Sequence, residues 1–326
     1  MTATSGAETL LDRHDALLVD LDGVVYRGST AVPHAVESLT SAVAAGAVLA
    51  FVTNNAARPP AAVAEHLREL GLACEPRDVV TSAQAGAREV ASRVAPGSAV
   101  LAVGGPGVAL ALEERGLVPV TSAADAPAAV MMGFGPDVSW RALAEAAYAV
   151  GAGAVFVATN TDTSIPTARG IAPGNGTLVG AVQAATGRVP VVAGKPYAPL
   201  MRESVERVGA QRPLVVGDRL DTDVEAGHVS GIPSLLVLTG VTDVETLLAA
   251  PEDRRPTYVA ADLRGLLLPA AATQVLPTAA EHPDVDGLAV LRAACRAAWS
   301  AADRGAPTPP RDLRALEAAV AAALSA

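Results

Sequence analysis

Two aspartates one residue apart, Asp20 and Asp22, close an apolar run: residues 16–22 read Ala-Leu-Leu-Val-Asp-Leu-Asp, and Gly23 follows. A short apolar run bounded by a turn signal suits a buried parallel strand. Side chains at i and i+2 share one face of a strand. Both carboxylates therefore leave the carboxyl end together, where open α/β sheets bind ligands. Two carboxylates that close repel, and one takes up a proton unless a cation sits with them. A hard divalent ion, plus a separate task for the second acid, accounts for the pair. A strand-end carboxylate can attack phosphorus and form an aspartyl phosphate. An acid two residues on can protonate the leaving oxygen and then deprotonate the attacking water. The bland alternative is a turn with capping acids, since Asp-Gly is a common turn dipeptide.

Of the 24 basic residues only Lys195 is a lysine; the rest are arginines. It stands in Gly194-Lys195-Pro196, after the apolar run 189–193. An ammonium is a compact point charge that can approach a carboxylate and a phosphate oxygen together, where a guanidinium fork is larger and planar. The alternative is chance survival of one surface lysine. Two further constellations follow apolar runs. Val52-Thr53-Asn54-Asn55 comes after 47–51, and its hydroxyl and backbone N–H groups could hold phosphate oxygens or simply cap the next helix. Gly217-Asp218-Arg219-Leu220-Asp221-Thr222-Asp223 comes after 213–216. Asp218 sits where a strand-end carboxylate can meet a metal held by Asp20. Asp223, one helical turn on, can hold a metal-bound water. Acids that merely favour a helix N-terminus are the competing explanation, and no Glu closes an EF-hand loop. Gly105-Pro106-Gly107 lacks the third glycine of a dinucleotide fingerprint, Gly194-Lys195 lacks the rest of a P-loop, and no G-x-S-x-G elbow occurs. His14, His34, His66, His228 and His282 are scattered like surface or packing residues.

These turns need strands and helices to hold them. Apolar runs predict strands near 16–20, 47–52, 99–103, 128–132, 154–158, 214–216, 234–238 and 257–260. Helical periodicity covers 33–45, 60–70, 83–94, 107–115, 139–150, 178–186, 197–208 and 222–229. The alternation predicts an α/β fold, a Rossmann-like doubly wound parallel sheet with crossover helices. The chemistry-bearing turns cluster in 20–55 and 194–223. The expected organisation is therefore a discontinuous core, 13–82 and 190–268, around an inserted α/β domain, 83–189. Residues 1–12 read as a loose leader. Beyond Pro269 comes a helical tail, 269–326. One helix covers 284–303 with Leu288, Leu291, Cys295 and Trp299 on a stripe. The break Gly305-Ala306-Pro307-Thr308-Pro309-Pro310 precedes a second, 311–325. The tail could pack on the core, pair with another chain or hang free.

A chain of 326 residues can build two domains and a sizeable core. No run reaches the ~18 apolar residues that span a bilayer, and no secretory signal opens the sequence. Cys74 and Cys295 lack metal-like spacing and read as buried thiols of a reducing cytoplasm. A net charge of −10 with 3% aromatic residues excludes a basic, aromatic-studded nucleic-acid track. Any anion must be met by locally supplied positive potential.

Taken together and in this order, the four motifs resemble those of the haloacid dehalogenase superfamily of phosphatases, over about residues 14–265. The insert lies at the C2-cap (type IIA) position. Ala158-Thr159-Asn160-Thr161-Asp162, Pro166, Gly170, Pro173-Gly174-Asn175-Gly176 and Gly187-Arg188 look like the branch holding the p-nitrophenylphosphatase-like, phosphoglycolate, pyridoxal phosphate and glycerol 3-phosphate phosphatases. The resemblance implies a Mg²⁺-dependent phosphomonoesterase for a small soluble phosphate ester. Asp20 would be the nucleophile. Asp22 would be the general acid/base, its backbone carbonyl also on the metal. Thr53, Asn54 and Asn55 would hold the phosphoryl group, and Lys195 would bridge nucleophile and phosphate. Asp218 would complete the metal set of Asp20, Asp22 and Asp218, with Asp223 behind it. Asn160, Asp162 and Arg169 are candidates for reading the substrate. The second acid at Asp22 argues for phosphatase over dehalogenase chemistry. The tail is the departure from short family members. With the GC-rich composition it points to the actinobacterial enzymes acting on glycerol 3-phosphate; the alternatives are 2-phosphoglycolate, pyridoxal phosphate, nucleotide or another small metabolite. A phosphotransferase and a non-enzymatic phosphometabolite-binding regulator are the other readings. A homodimer through the insert or the tail is expected.

Overall fold

The computed structural model describes residues 7–167, 169–275, 284–307 and 312–326. His282, Thr308–Pro310 of the break, Arg311 and residues 1–6 of the leader lie outside them, as does the side chain of Pro166. Contacts group the chain into two compact units. One takes residues up to Phe51, Leu67–Ala73 and Val205–Ala326; the other takes Val52–His66 and Cys74–Ser204.

In the first unit five parallel strands run in the order Tyr258–Ala260, Ser234–Val237, Pro213–Gly217, Ala16–Val19, Val48–Thr53. All four residues of Ala16–Val19 are buried, as a strand covered on both faces requires. The chain's first strand of this sheet is thus internal. The next in sequence lies to one side and the last three to the other, which makes the carboxyl end of Ala16–Val19 a topological switch point. Val19 is in register with Val216 on one side and Phe51 on the other, so the residues following each strand emerge at the same end.

The tail takes the first of its three possible fates. Leu288, Leu291, Cys295 and Trp299 of the stripe are all at most 1% exposed. They share an apolar cluster with Leu236, Val244, Leu247, Leu248 and Val259, and Leu316 and Ala323 of the Leu313–Ser325 helix close it. Trp299 Nε1 donates to Leu247 O at 3.1 Å, and Arg292 Nε donates to Val259 O at 2.9 Å. Gln274 bridges Tyr258, and Val275 N–H donates to Thr257 O, so the sheet's edge strand is covered. The leader needs correction: Leu10–Arg13 is a helical turn capped reciprocally by Thr9 and Asp12, and Leu10 is buried. A Thr-x-x-Asp box satisfies the orphan N–H groups of so short a helix, and one apolar residue docks it.

The second unit carries its own parallel sheet, ordered Val191–Val192, Val155–Ala158, Ala129–Met132, Ala99–Val103, Val118–Val120. Its strands alternate with period two. Val100, Ala129, Met131 and Val157 join the cluster that holds Val90, Val108 and Leu112 from helices Ser82–Ala91 and Pro106–Glu114. Leu101, Val103, Val130, Met132 and Phe156 face Ala146, Ala149, Val150, Val179 and Val182 from Trp140–Gly151 and Asn175–Thr186. An antiparallel hairpin, Ser164–Thr167 with Gly170–Pro173, stands beside this sheet in the sequence.

Candidate active site

Asp20 follows the internal strand Ala16–Val19, and its N–H donates to Val216 O at 2.8 Å. The ladder with Pro213–Gly217 thereby continues one residue past Val19, which brings Asp20 level with Gly217 and next to Asp218. Carboxylate oxygens of Asp20, Asp218 and Asp223 lie within 4.8 Å of one another, and Asp218 and Asp223 are each only 1% exposed. Three carboxylates so close, two of them buried, make a place for a counter-cation. An all-oxygen, acidic donor set suits a hard divalent ion such as Mg²⁺.

The surroundings aim these carboxylates. Val241 N–H donates to Asp218 Oδ2 at 2.7 Å and Thr242 Oγ1 donates to Asp218 O at 2.6 Å. Arg219 N–H donates to Asp223 Oδ2 at 3.1 Å. The first turn after Arg219, Leu220–Val224, is π-helical rather than the α-helix expected from 222 on. Val224 N–H reaches back five residues to Arg219 O, and this wide turn lays Asp223 against Gly217, where a Cβ would stand 2.2 Å from the Asp223 Cβ. Gly23 has φ +84°, and a Cβ there would lie 2.6 Å from Asp218 Oδ2. The glycine of Asp-Leu-Asp-Gly thus serves both its own turn and the distant carboxylate. Asp221, inside the same motif, turns away. Arg219 Nε and Nη2 donate to its two oxygens at 3.0 and 2.8 Å, and the guanidinium holds its carboxyl below the usual range. Asp22 is exposed and is not one of the three clustered carboxylates.

The second unit begins at Val52, within the strand Val48–Thr53; Thr53 ends that strand at 5% exposure, and its Oγ1 accepts the Asn55 N–H at 3.0 Å. Asn55 Oδ1 accepts the Ala57 N–H at 2.9 Å. Two consecutive side-chain turns thus shape the loop, as Thr and Asn favour. The Thr53 hydroxyl hydrogen and the Asn55 amide N–H groups are the donors that this arrangement leaves for an anion. Lys195 is 3% exposed, with Nζ 3.3 Å from Val52 O. The lone lysine is therefore not a surface residue. Asn54 bonds to both Lys195 N–H and Lys195 O, at 2.8 and 3.1 Å, and to Asp162 Oδ2 at 3.2 Å. Asn160 is 4% exposed, and its Nδ2 donates to Asn54 O at 2.7 Å. Arg169 is exposed at the tip of the hairpin. Sequence reasoning gave no part to Ser82, whose Oγ donates to Asn54 O at 2.6 Å, or to Asn175, whose Nδ2 donates to Asn160 O at 2.8 Å. Asn175 stood within a quoted motif, but Ser82 carried no signal beyond following Thr81 at a helix start.

A strand-end carboxylate at a switch point beside two more carboxylates fit for Mg²⁺ points to the class: a metal-dependent hydrolase on a Rossmann-like α/β fold. Haloacid dehalogenase-like hydrolases match residues 17–118, and a HAD-hydrolase-like family model matches 192–266. The chain is 43% identical to D-glycerol 3-phosphate phosphatase of Mycobacterium tuberculosis, over 94% of this chain and 91% of that protein. A match of that extent takes in most of the residues beyond Pro269. Acid sugar phosphatase of Staphylococcus aureus is 36% identical over 78% of this chain and 96% of its own. Glycerol phosphate phosphatase from Mycobacterium tuberculosis, solved in complex with magnesium, superposes with a TM-score of 0.86 at 43% identity, covering 90% of this chain and 93% of that one. The chain belongs to the haloacid dehalogenase-like hydrolase family and is one of its phosphatases. No helix among the described residues is long and apolar enough to cross a membrane.

Proposed function

We propose that this phosphatase hydrolyses glycerol 3-phosphate. The observation that carries the substrate is the 43% identity to a D-glycerol 3-phosphate phosphatase, over 94% of this chain. In the proposed mechanism Asp20 attacks phosphorus. A bond from its carboxylate oxygen to phosphorus forms as the ester P–O bond breaks. Asp22 gives its proton to the leaving oxygen, and glycerol departs. Asp22 then takes a proton from water as that water attacks the aspartyl phosphate, releasing inorganic phosphate and restoring Asp20. Thr53 and Asn55 donate to the phosphoryl oxygens, and Lys195 supplies a fixed positive charge. Asp20 and Asp218, with the Asp22 carbonyl and with Asp223 behind them, would hold Mg²⁺, which when bound neutralises the charge gathered at the transferring group. Residues 83–189 act as the cap domain, with Asp162 and Arg169 as its substrate-reading candidates. Buried Cys74 and Cys295 support action in a reducing cytoplasm. Trp140 and Tyr148, 80% and 61% exposed on one cap helix, support a homodimer through the cap, which the mass in solution tests.

The test is a panel of phosphate esters ranked by kcat/KM with Mg²⁺. Glycerol 3-phosphate is expected at the top, with 2-phosphoglycolate as chief rival; a nucleotide ahead by a wide margin would remove the substrate assignment. Asp20→Asn keeps the shape but loses the nucleophile, so turnover should vanish while the fold persists. Activity within a few-fold of wild type in that variant would sink the covalent route.

A further inference from the structure

We infer that the side chain of Asn54 is not a ligand of the phosphoryl group but the positioning device for Lys195, and that Ser82, Asn160 and Asn175 hold it in place. The inference rests on the proposed role of Lys195.

A carboxamide has two N–H donors. Those of Asn54 go to Lys195 O and to Asp162 Oδ2. A phosphoryl oxygen would need an N–H, and the side chain has none left to give. Its oxygen accepts the Lys195 N–H. One side chain therefore grips the Lys195 peptide unit on both sides, across 141 residues of sequence. That is what a neighbouring strand would do, supplied at a turn where no strand runs.

The clamp is itself anchored. Asn54 O accepts from Ser82 Oγ, 0% exposed, and from Asn160 Nδ2, so its backbone is held from two directions. Asn160 O accepts from Asn175 Nδ2, which also donates to Met132 O at 3.3 Å, at the end of the Ala129–Met132 strand. Asn175 is 1% exposed. The line from Met132 to Lys195 runs entirely through buried or half-buried amides, where hydrogen bonds are strong and an unmade one is costly. Residues of three motifs, at 53–55, 158–162 and 173–176, thereby converge on a fourth, at 194–196. A lysine ammonium on four methylenes is placed no better than its own backbone is. A clamp on that backbone fixes where the ammonium can be.

The experiment is a double-mutant cycle on the full chain with Mg²⁺ and the best substrate of the panel. Misplacing a reacting group by about 1 Å costs up to ~10² in rate. Asn54→Ala should lower kcat by ~10- to 100-fold while KM and the inhibition constant of inorganic phosphate stay within about threefold. In a Lys195→Met background the same change should cost nothing further, because it acts through the lysine. Ser82→Ala adds no volume and removes one anchor, so it provides a second variant should Asn54→Ala unfold. It should show a smaller kcat loss that also disappears beside Lys195→Met. Additive losses, or a phosphate inhibition constant raised about tenfold in Asn54→Ala, would overturn the clamp and make Asn54 a direct ligand. Near-normal turnover of Lys195→Met alone would overturn the clamp and the lysine's assigned role together.

Discussion

Lys195 shows what one residue can be asked to do. Its ammonium is buried at 3% exposure, with a backbone carbonyl 3.3 Å away, in a chain that otherwise uses only arginine. Lys195→Arg keeps the charge, but the planar fork cannot occupy a compact ammonium's place. Loss of one preorganised charge contact costs ~10²–10³ in kcat, and that is the expected outcome. The crowded site also predicts a lower melting temperature. A kcat near wild type, measured on the folded variant, would leave the lysine without a catalytic part. The sequence revealed the ionisable groups because chemistry limits their types and strand ends limit their places. Asp20 and Asp218 were legible in that way. It did not reveal what each amide bonds to. The Asn54 side chain beside Thr53 looks like a phosphate donor in one dimension, and only the fold shows both its amide hydrogens engaged. The motif pointed to Asp223 rather than Asp221 as the residue behind Asp218, but not to the turn that brings it there. That turn is π-helical, and the Arg219 ion pair holds Asp221 away.

Elements were legible where burial makes them uniform. The long parallel strands are apolar runs because helices cover both faces, and all eight expected strands form within a residue or two of their expected bounds. The strands Val79–Thr81 and Val118–Val120 and the hairpin at 164–173 are short, carry Pro or Gly, or lie half exposed, so no periodicity announces them. The approach to the central strand makes a pH prediction. His14 Nδ1 lies 3.3 Å from Arg212 O, and its ring stands edge-on to Tyr258 at 6.0 Å. Nε2 is buried without a hydrogen-bond partner. Burial, with Arg13 and Arg212 nearby, pushes its pKa below the ordinary 6.5. The unfolded chain then binds the proton more readily than the folded one. Stability is complete above pH 6.5 and falls as pH drops through the unfolded value toward the folded one. The slope cannot exceed about 1.4 kcal/mol per pH unit for one proton. Urea unfolding at pH 7.5 and 5.5 should show a smaller acid loss in His14→Phe than in wild type. Equal losses would mean that His14 is already solvated.

At the scale of the whole molecule the question is whether the tail is an attachment or part of the fold. The family match ends at residue 266, and every residue assigned to catalysis precedes Val224. The tail nevertheless fills the core of the first unit. Trp299, 1% exposed, sits among Leu247, Leu248 and Val259 and carries the Arg255 guanidinium 5.7 Å from its ring centroid; that guanidinium also pairs with Asp303 at 2.8 Å. Removing a buried aromatic costs about 3–5 kcal/mol. Trp299→Ala alone should therefore lower the melting temperature by many degrees while leaving kcat unchanged, since the indole packs in the apolar cluster and bonds Leu247 O. A chain ending at Val275 loses Leu288, Leu291, Cys295, Trp299 and Leu316 together. That loss exceeds what a domain stable by about 5–15 kcal/mol can absorb. It should bind hydrophobic dye, aggregate on warming, and retain Mg²⁺-dependent turnover only in whatever fraction stays folded. If the shortened chain stays monodisperse with an unchanged melting curve, the apolar face beneath the tail is closed by something else. If Trp299→Ala loses turnover at a temperature where it is fully folded, the tail reaches the chemistry as well as the core.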